Sequence, residues 1–312
     1  MKVIACSTGI LVQGMGPPLR GFVHSVFASA ANLLFPDGFV LSLNALPHFA
    51  FSPKNNEQAC RHNDISRLHS CFIHSGREAA VVALEEEVHQ GVTLPLMPNG
   101  LLLSAYAGEF PFTALRVGMP AILGAGWLSL EAIACSLDFV TCPRWDPHIV
   151  RSSQLNEQCI KANGHRLRQL CQRAELRGIP ELEAMREASI LVLAEELSGR
   201  GPGLTPGGDD FLAGWMAAGW LLYGPQADFL KLCQDICAIA RRRTHVLSQS
   251  WLTHAAVGEV AQPIRELLAA LNTADQRWLE YAARGLLAMG ASSGFDVLQG
   301  ILYSIEQYPD LL

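Results

Sequence analysis

From Ile149 to the end of the chain the apolar residues recur at helical spacing almost throughout, whereas between Val3 and Pro143 they come in short runs behind turn residues. The change falls after Arg144-Trp-Asp-Pro-His148 and restricts the chain to an α+β class. The expected architecture is a mainly β N-terminal part, residues 1–148, built of hairpins or a small barrel. A mainly α-helical domain, residues 149–312, follows it. Helices are predicted over Asn156 to Leu176, Glu181 to Leu197, Asp209 to Leu222, Ala227 to Arg243, Val246 to Val260, Pro263 to Leu271, Asp275 to Met289 and Gly294 to Tyr308.

In the N-terminal part, Pro36-Asp37-Gly38 feeds Phe39-Val-Leu-Ser-Leu43, and Pro98-Asn99-Gly100 feeds Leu101-Leu-Leu-Ser-Ala105. Each is turn chemistry ahead of a short apolar run, so antiparallel hairpins are expected. His24 to Phe35 carries Val26, Phe27, Ala30, Leu33 and Leu34 near helical spacing and predicts a short helix ending before Pro36. Glu78 to His89 predicts another. Between them the chain turns polar, with Cys60, His62, His69, Cys71 and His74 in one stretch. Those are metal-ligand types, but their spacing matches no established zinc pattern, and a solvated loop is the expectation.

Composition narrows the function classes. With 50% hydrophobic and 17% charged residues in 312, the chain has enough apolar mass for large cores and too little charge for disorder. A net charge of −6 offers no basic face for nucleic acid and leaves small molecules or protein partners. Nine cysteines, scattered and odd in number, fit reduced thiols better than a disulfide framework. Met1-Lys-Val-Ile-Ala-Cys6 runs into Gly14 to Pro18 before a signal-type apolar core develops, so a cytoplasmic location is expected. Met119 to Ile133 and Phe211 to Tyr223 are too short for a bilayer and read as buried elements, so no membrane partner is expected.

The chemistry concentrates at Gly201-Pro-Gly-Leu-Thr-Pro-Gly-Gly-Asp-Asp210, where glycines and prolines stop one helix and Phe211 onward starts another. Thr205, Gly207 and Gly208 place a hydroxyl and accessible backbone N–H groups at a helix N-terminus, which suits an anion. Asp209 and Asp210 add two carboxylates, as candidate catalytic residues or, if a metal is present, as ligands to magnesium. The pattern Gly-x-Asp-x-Leu-x-Gly in Gly208 to Gly214 returns in Gly294 to Gly300, with Ser292 and Ser293 just ahead of it. Two readings stay open: Asp209, Asp210 and Asp296 cap helices while Gly214 and Gly300 let them cross, or both motifs face one polar cavity. Arg241-Arg-Arg-Thr-His245 reads as a solvated helix C-terminus, although Thr244 and Ser248, one turn apart, are placed to line the same cavity. No Gly-x-Ser-x-Gly elbow, Walker loop or dinucleotide glycine fingerprint is present, and Cys233 with Cys237 read as packing thiols.

Three segments carry a family resemblance: Gly201 to Asp210, then Thr244-x-x-x-Ser248-x-x-Trp-Leu252 leading to Ala255-Ala-Val-Gly-Glu259, then Gly290-Ala-Ser-Ser-Gly-Phe-Asp296. In order and spacing they resemble a bacterial domain-of-unknown-function family that includes the AllH-type subunit associated with oxamate carbamoyltransferase. The resemblance covers about residues 190 to 304. It implies a cytoplasmic protein of purine (allantoin) nitrogen catabolism, taking part in carbamoyl transfer between oxalurate and phosphate to give oxamate and carbamoyl phosphate. It also implies partner subunits, one of them related to acyl-CoA synthetases. The Ser-Thr-Arg-Thr loop and His-Pro-x-Gln segment of the ordinary carbamoyltransferases are absent. On this reading Asp209 and Asp210 act on the carbamoyl group, while Thr205, Gly207, Gly208, Thr244, Ser248, Ser293, Gly294 and Asp296 bind a small anionic metabolite. The competing expectation is a non-catalytic carboxylate- or phosphate-binding subunit, or a structural one, within a multi-protein complex.

Overall fold

Proline presets the backbone of a turn and glycine accepts a left-handed one. In the computed structural model Asp37 (φ 59°) and Gly38 (φ 75°) both take left-handed angles after Pro36. They return strand β3, Ala30–Leu34, antiparallel onto β4, Val40–Ala45, which is the hairpin expected there. The structure describes residues 2–9, 17–27, 30–45, 98, 100–103, 112–139, 144–152, 154–173, 188–290 and 292–308. The Cys/His run from Cys60 to His74 and the helix expected over Glu78 to His89 lie outside these. The chain divides into two units, Met1–Asp146 and Pro147–Leu312.

The first unit is one curled, mostly antiparallel sheet. Its remaining strands are β1 (Lys2–Gly9), β2 (Leu19–Val26), β5 (Gly100–Leu103), β6 (Pro120–Gly124), β7 (Trp127–Leu130), β8 (Cys135–Asp138) and β9 (Arg144–Trp145). The order is β5-β4-β3-β2-β6-β7-β8-β1-β9, and β5 also pairs with β1, so the sheet curls back on itself. The second turn therefore does not make a local hairpin: β5 lies parallel to β4 and antiparallel to β1. Val23, Leu33, Leu41, Leu43, Leu123, Leu128, Leu137 and Phe139 fill the inside.

The helix expected over His24 to Phe35 is instead the end of β2 and all of β3. Ala31, Leu33 and Phe35 are buried while Asn32 and Leu34 are half-buried, a period of two that the near-helical spacing concealed. Pairing on both sides of β3 outweighs local pattern, and a polar file seals it. Asn32 Nδ2 donates to Ser25 Oγ (3.0 Å) and Ser42 Oγ donates to Asn32 Oδ1 (2.7 Å), across three adjacent strands.

The described residues of the second unit form eight helices: α1 (Glu157–Arg173), α2 (Ile190–Leu197), α3 (Gly207–Leu222), α4 (Ala227–Ala240), α5 (Val246–Ala256), α6 (Gln262–Leu271), α7 (Gln276–Leu287) and α8 (Ser293–Gln307). Local chemistry fixes their starts. Ser189 caps α2 by accepting from the Val192 N–H, Asp275 caps α7 by accepting from Arg277 and Trp278, and Pro263 sits in the first turn of α6. Most helices show a polar and an apolar face; α3 does not. From Gly208 to Gly219 every residue is buried, as expected for a helix enclosed on all sides. Helix α8 is its most extensive neighbour, with α5, α6, α4 and α2 around the rest. Phe229 of α4 lies in the gap left by Gly219, its ring among Trp215, Trp220 and Tyr223. Buried Asn163 of α1 ties in the α6–α7 turn, donating to the Leu271 and Thr273 carbonyls and accepting from Gln276.

The described buried cysteines behave as packing groups. Cys135, Cys159, Cys171, Cys233 and Cys237 are free. Burial pushes the Cys233 thiol up and that of Cys237 to about 11, the opposite of what a reactive thiol needs. No helix among the described residues is long and apolar enough to cross a membrane.

Candidate functional site

The glycines of the repeated pattern set the geometry of the site. A Cβ on Gly214 of α3 would lie 2.1 Å from the Val297 carbonyl oxygen of α8, and one on Gly300 of α8 would lie 1.9 Å from the Phe211 carbonyl oxygen of α3. The two helices thus cross backbone against backbone, each using the last glycine of its motif against the residue after the other's aspartate. The first glycines match as well. A Cβ on Gly208 would strike the Leu197 carbonyl at the end of α2, and one on Gly294 would strike the Leu286 carbonyl near the end of α7. Their N–H groups go to loop carbonyls, Gly208 to Arg200 (3.0 Å) and Gly294 to Met289 (2.9 Å). The sequence echo is therefore a structural one, in which α2–loop–α3 and α7–loop–α8 pack reciprocally.

The crossing brings the acidic residues together. Asp209 is fully buried; its Oδ1 accepts from the Gly199 N–H (2.9 Å) and its Oδ2 from the Thr244 hydroxyl. Burial raises its carboxyl above the usual range, while Thr244, Gly199, Ser248 and the charge of His245 draw it back. Asp210 is 1% exposed, and its Oδ2 has no hydrogen-bond partner among the described residues. Burial pushes its carboxyl well above the ordinary range, the Ser293 and Thr205 hydroxyls oppose the shift, and the neighbouring Asp296 and Asp209 add to it. Asp296 of α8 is also buried, its carboxyl raised by burial and lowered by Ser292. Its Oδ2 would lie 2.8 Å from a Cβ on Gly207, so a side chain at the first residue of α3 would displace the carboxylate.

Hydroxyls join the motifs. Thr205 Oγ1 lies 3.2 Å from Ser293 Oγ, linking the loop before α3 to the first residue of α8. Thr205, Gly207 and Ser293 are half-buried and form the outer side of the group; Asp209 and Asp210 lie behind them. Ser248, fully buried on α5, reaches toward the Leu204 carbonyl (3.5 Å) and Asp209. The segment Gly201-Pro-Gly-Leu204 is exposed above the group, with Gly201 and Gly203 at left-handed angles. Residues 197–305 match the family model described as oxamate carbamoyltransferase subunit AllH. This helical segment is similar to the AllH family. No solved structure matches the chain.

The matched segment begins on the last residue of α2 and ends within α8, so it contains both motifs, Thr244 and Ser248. The arrangement is richer in carboxylates than in free donors. The Asp209 and Asp210 N–H groups return to the Pro206 carbonyl, and those of Phe295 and Asp296 to Ser292, so with Gly208 and Gly294 most of the first-turn donors of both helices are engaged. Neither Pro206 nor Ser292 forms a side-chain cap. Asp209 does not cap its own helix either; it binds residues outside it. Among the described residues no three His, Cys, Asp or Glu side chains are grouped so as to hold a metal ion. Arg241, Arg242 and Arg243 are exposed, and Arg243 pairs with Glu195 (2.5 Å). Sequence reasoning missed Gly199 and His245. A Gly after a helix end, as in Ser198-Gly199, is a recognisable C-terminal signal, but nothing in it announces a bond to Asp209.

Proposed function

We infer that this chain serves as a subunit of an oxamate carbamoyltransferase, with its site at the α3–α8 crossing. The reaction on this reading is carbamoyl transfer between oxalurate and phosphate, giving oxamate and carbamoyl phosphate in purine (allantoin) nitrogen catabolism. Further carbamoyltransferase subunits, one of them acyl-CoA synthetase-like, complete the enzyme. The observation that carries the reading is the buried Asp210 with an oxygen left unpartnered, inside the segment that matches AllH. A buried polar atom without a partner is costly in a folded core and is retained where a ligand or proton occupies it.

The donor inventory shapes the chemistry. A carbamoyl –NH2 offers two N–H donors, and Asp209, Asp210 and Asp296 supply acceptors for them. On this reading the half-buried Thr205 and Ser293 hydroxyls donate to the substrate's carboxylate or phosphate oxygens. Since most first-turn N–H groups are already bonded, recognition rests on side-chain hydroxyls and carboxyls more than on a backbone anion cradle. Burial that holds the Asp210 proton on also lessens the repulsion that ionised carboxylates would impose on an anionic substrate.

The reading is tested in the reconstituted complex by following carbamoyl phosphate formed from oxalurate and phosphate. Asp210→Asn keeps the shape of the side chain and is expected to lower turnover by about 100-fold or more, with the chain still assembled in the complex. Full activity in that variant overturns the assignment. Binding of oxalurate to the wild-type chain without turnover in the complex would mark a binding subunit instead.

A further inference from the structure

Asp210 and Asp296 occupy the same place in the two reciprocally packed motifs, each four residues ahead of the glycine that touches the opposite helix. They belong to α3 and α8, and the two helix starts meet where Gly207 abuts the Asp296 carboxylate and Thr205 faces Ser293. One oxygen of the 1%-exposed Asp210 is unpartnered among the described residues. We propose that Asp210 and Asp296 form a carboxyl pair holding one proton, and that this proton moves to and from the substrate through the Ser293 and Thr205 hydroxyls.

The physical basis is that two carboxyls kept close in a buried site do not both ionise, because the second charge meets both desolvation and the first charge. Burial and the charge of Asp296 both hold the Asp210 proton on, and Asp209 adds to them. His245 at the start of α5 acts on Asp209 and the hydroxyl of Ser292 on Asp296. The two carboxyls are therefore unequal, the inner one holding its proton more firmly than the outer, as acid–base work requires.

The proposal rests on the carbamoyl-transfer reading, where it supplies a balanced step. The phosphate oxygen forms a bond to the carbamoyl carbon while the bond from that carbon to the oxamate nitrogen breaks. The leaving nitrogen needs a proton to become the oxamate –NH2, and the attacking phosphate gives one up. The pair donates the first and regains the second, so its own protonation is unchanged over the cycle.

Carboxyl infrared and 13C-aspartate NMR titrations of the isolated full-length chain test the pair without any activity. A protonated aspartic acid should persist in the wild type above the ordinary aspartate range, be absent from that range in Asp210→Asn, and titrate at distinctly lower pH in Asp296→Asn. Absence of a neutral aspartic acid in the wild type, or an unchanged midpoint in Asp296→Asn, overturns the pair; the wild-type measurement decides even if a variant fails to fold. In the reconstituted complex, Ser293→Ala should lower kcat about 10-fold or more with the neutral acid intact, and unaltered kcat refutes the hydroxyl route. Loss of the reaction reading alone, with the titrations as expected, would leave the pair standing as a property of the chain.

Discussion

Replacing Gly300 by alanine tests the crossing most directly. The new Cβ would sit 1.9 Å from the Phe211 carbonyl oxygen and 2.8 Å from the Trp215 nitrogen. Carbon and carbonyl oxygen settle at about 3.3 Å or more, so the helices must separate by over ~1 Å. Both obstacles are backbone, and neither can rotate away. Overpacking of this kind costs about 1–3 kcal/mol, and the upper end applies because α3 is enclosed on every side. Alanine regains ~1 kcal/mol of helix propensity over glycine, leaving a net loss of ~2 kcal/mol. Gly285 of α7 supplies the control, since a Cβ there meets nothing within 4 Å. The same substitution at that position should stabilise by up to ~1 kcal/mol. Urea unfolding followed by circular dichroism reads both as shifts of the midpoint at constant slope. Destabilisation in Gly300→Ala and stabilisation in Gly285→Ala are expected. A neutral or stabilising Gly300→Ala refutes the backbone contact. Gly214→Ala should behave like Gly300→Ala, and the double variant should lose less than the sum, because one separation accommodates both methyls.

Thr244→Val removes the hydroxyl bonded to buried Asp209 and should cost about 1–3 kcal/mol in urea unfolding, whereas Ser248→Ala, whose bond to Leu204 is long at 3.5 Å, should cost less. Asn163→Leu leaves the Leu271 and Thr273 carbonyls without their side-chain donor and should lower stability by about 1–3 kcal/mol at the α6–α7 turn, seen as faster amide exchange there. The raised carboxyls fix the sign of a pH effect: folded Asp210 holds its proton where the unfolded chain has lost it, so its contribution to stability falls as pH rises from about 4 toward the raised value. Asp210→Asn should flatten that slope in the unfolding free energy measured across this window, and an unchanged slope contradicts the raised carboxyl.

Helices α3 and α8 are legible because their starts are punctuated locally, by Pro206 and two glycines in one case and by Ser292 to Gly294 in the other. The repeated glycine spacing also signals their crossing, since glycine on a buried helix face has few other uses. The partners of Asp209 are not legible. Gly199 and Thr244 lie 10 and 35 residues away along the chain, and no periodicity links a carboxylate to a hydroxyl at such separations. The strands fail differently. Ala31, Leu33 and Phe35 alternate as strand residues, but Val26, Phe27 and Ala30 supply a competing near-helical pattern that only pairing with β2 and β4 overrules. The pairing of β5 with β1 spans most of the first unit and carries no local mark.

Helix α3 is buried on every side, and the surface it shows α8 is covered only after more than seventy further residues have been added to the chain. During synthesis that surface has no cover of its own until Ser293 onward has left the ribosome. A nascent or prematurely ended chain therefore presents an adhesive helix and half of the candidate site, so quality control meets this protein as an all-or-nothing product. Fragments ending ahead of α8 should be cleared or aggregate rather than accumulate as a partly active form, a point readily followed by expressing such fragments beside the full chain and comparing their soluble yields.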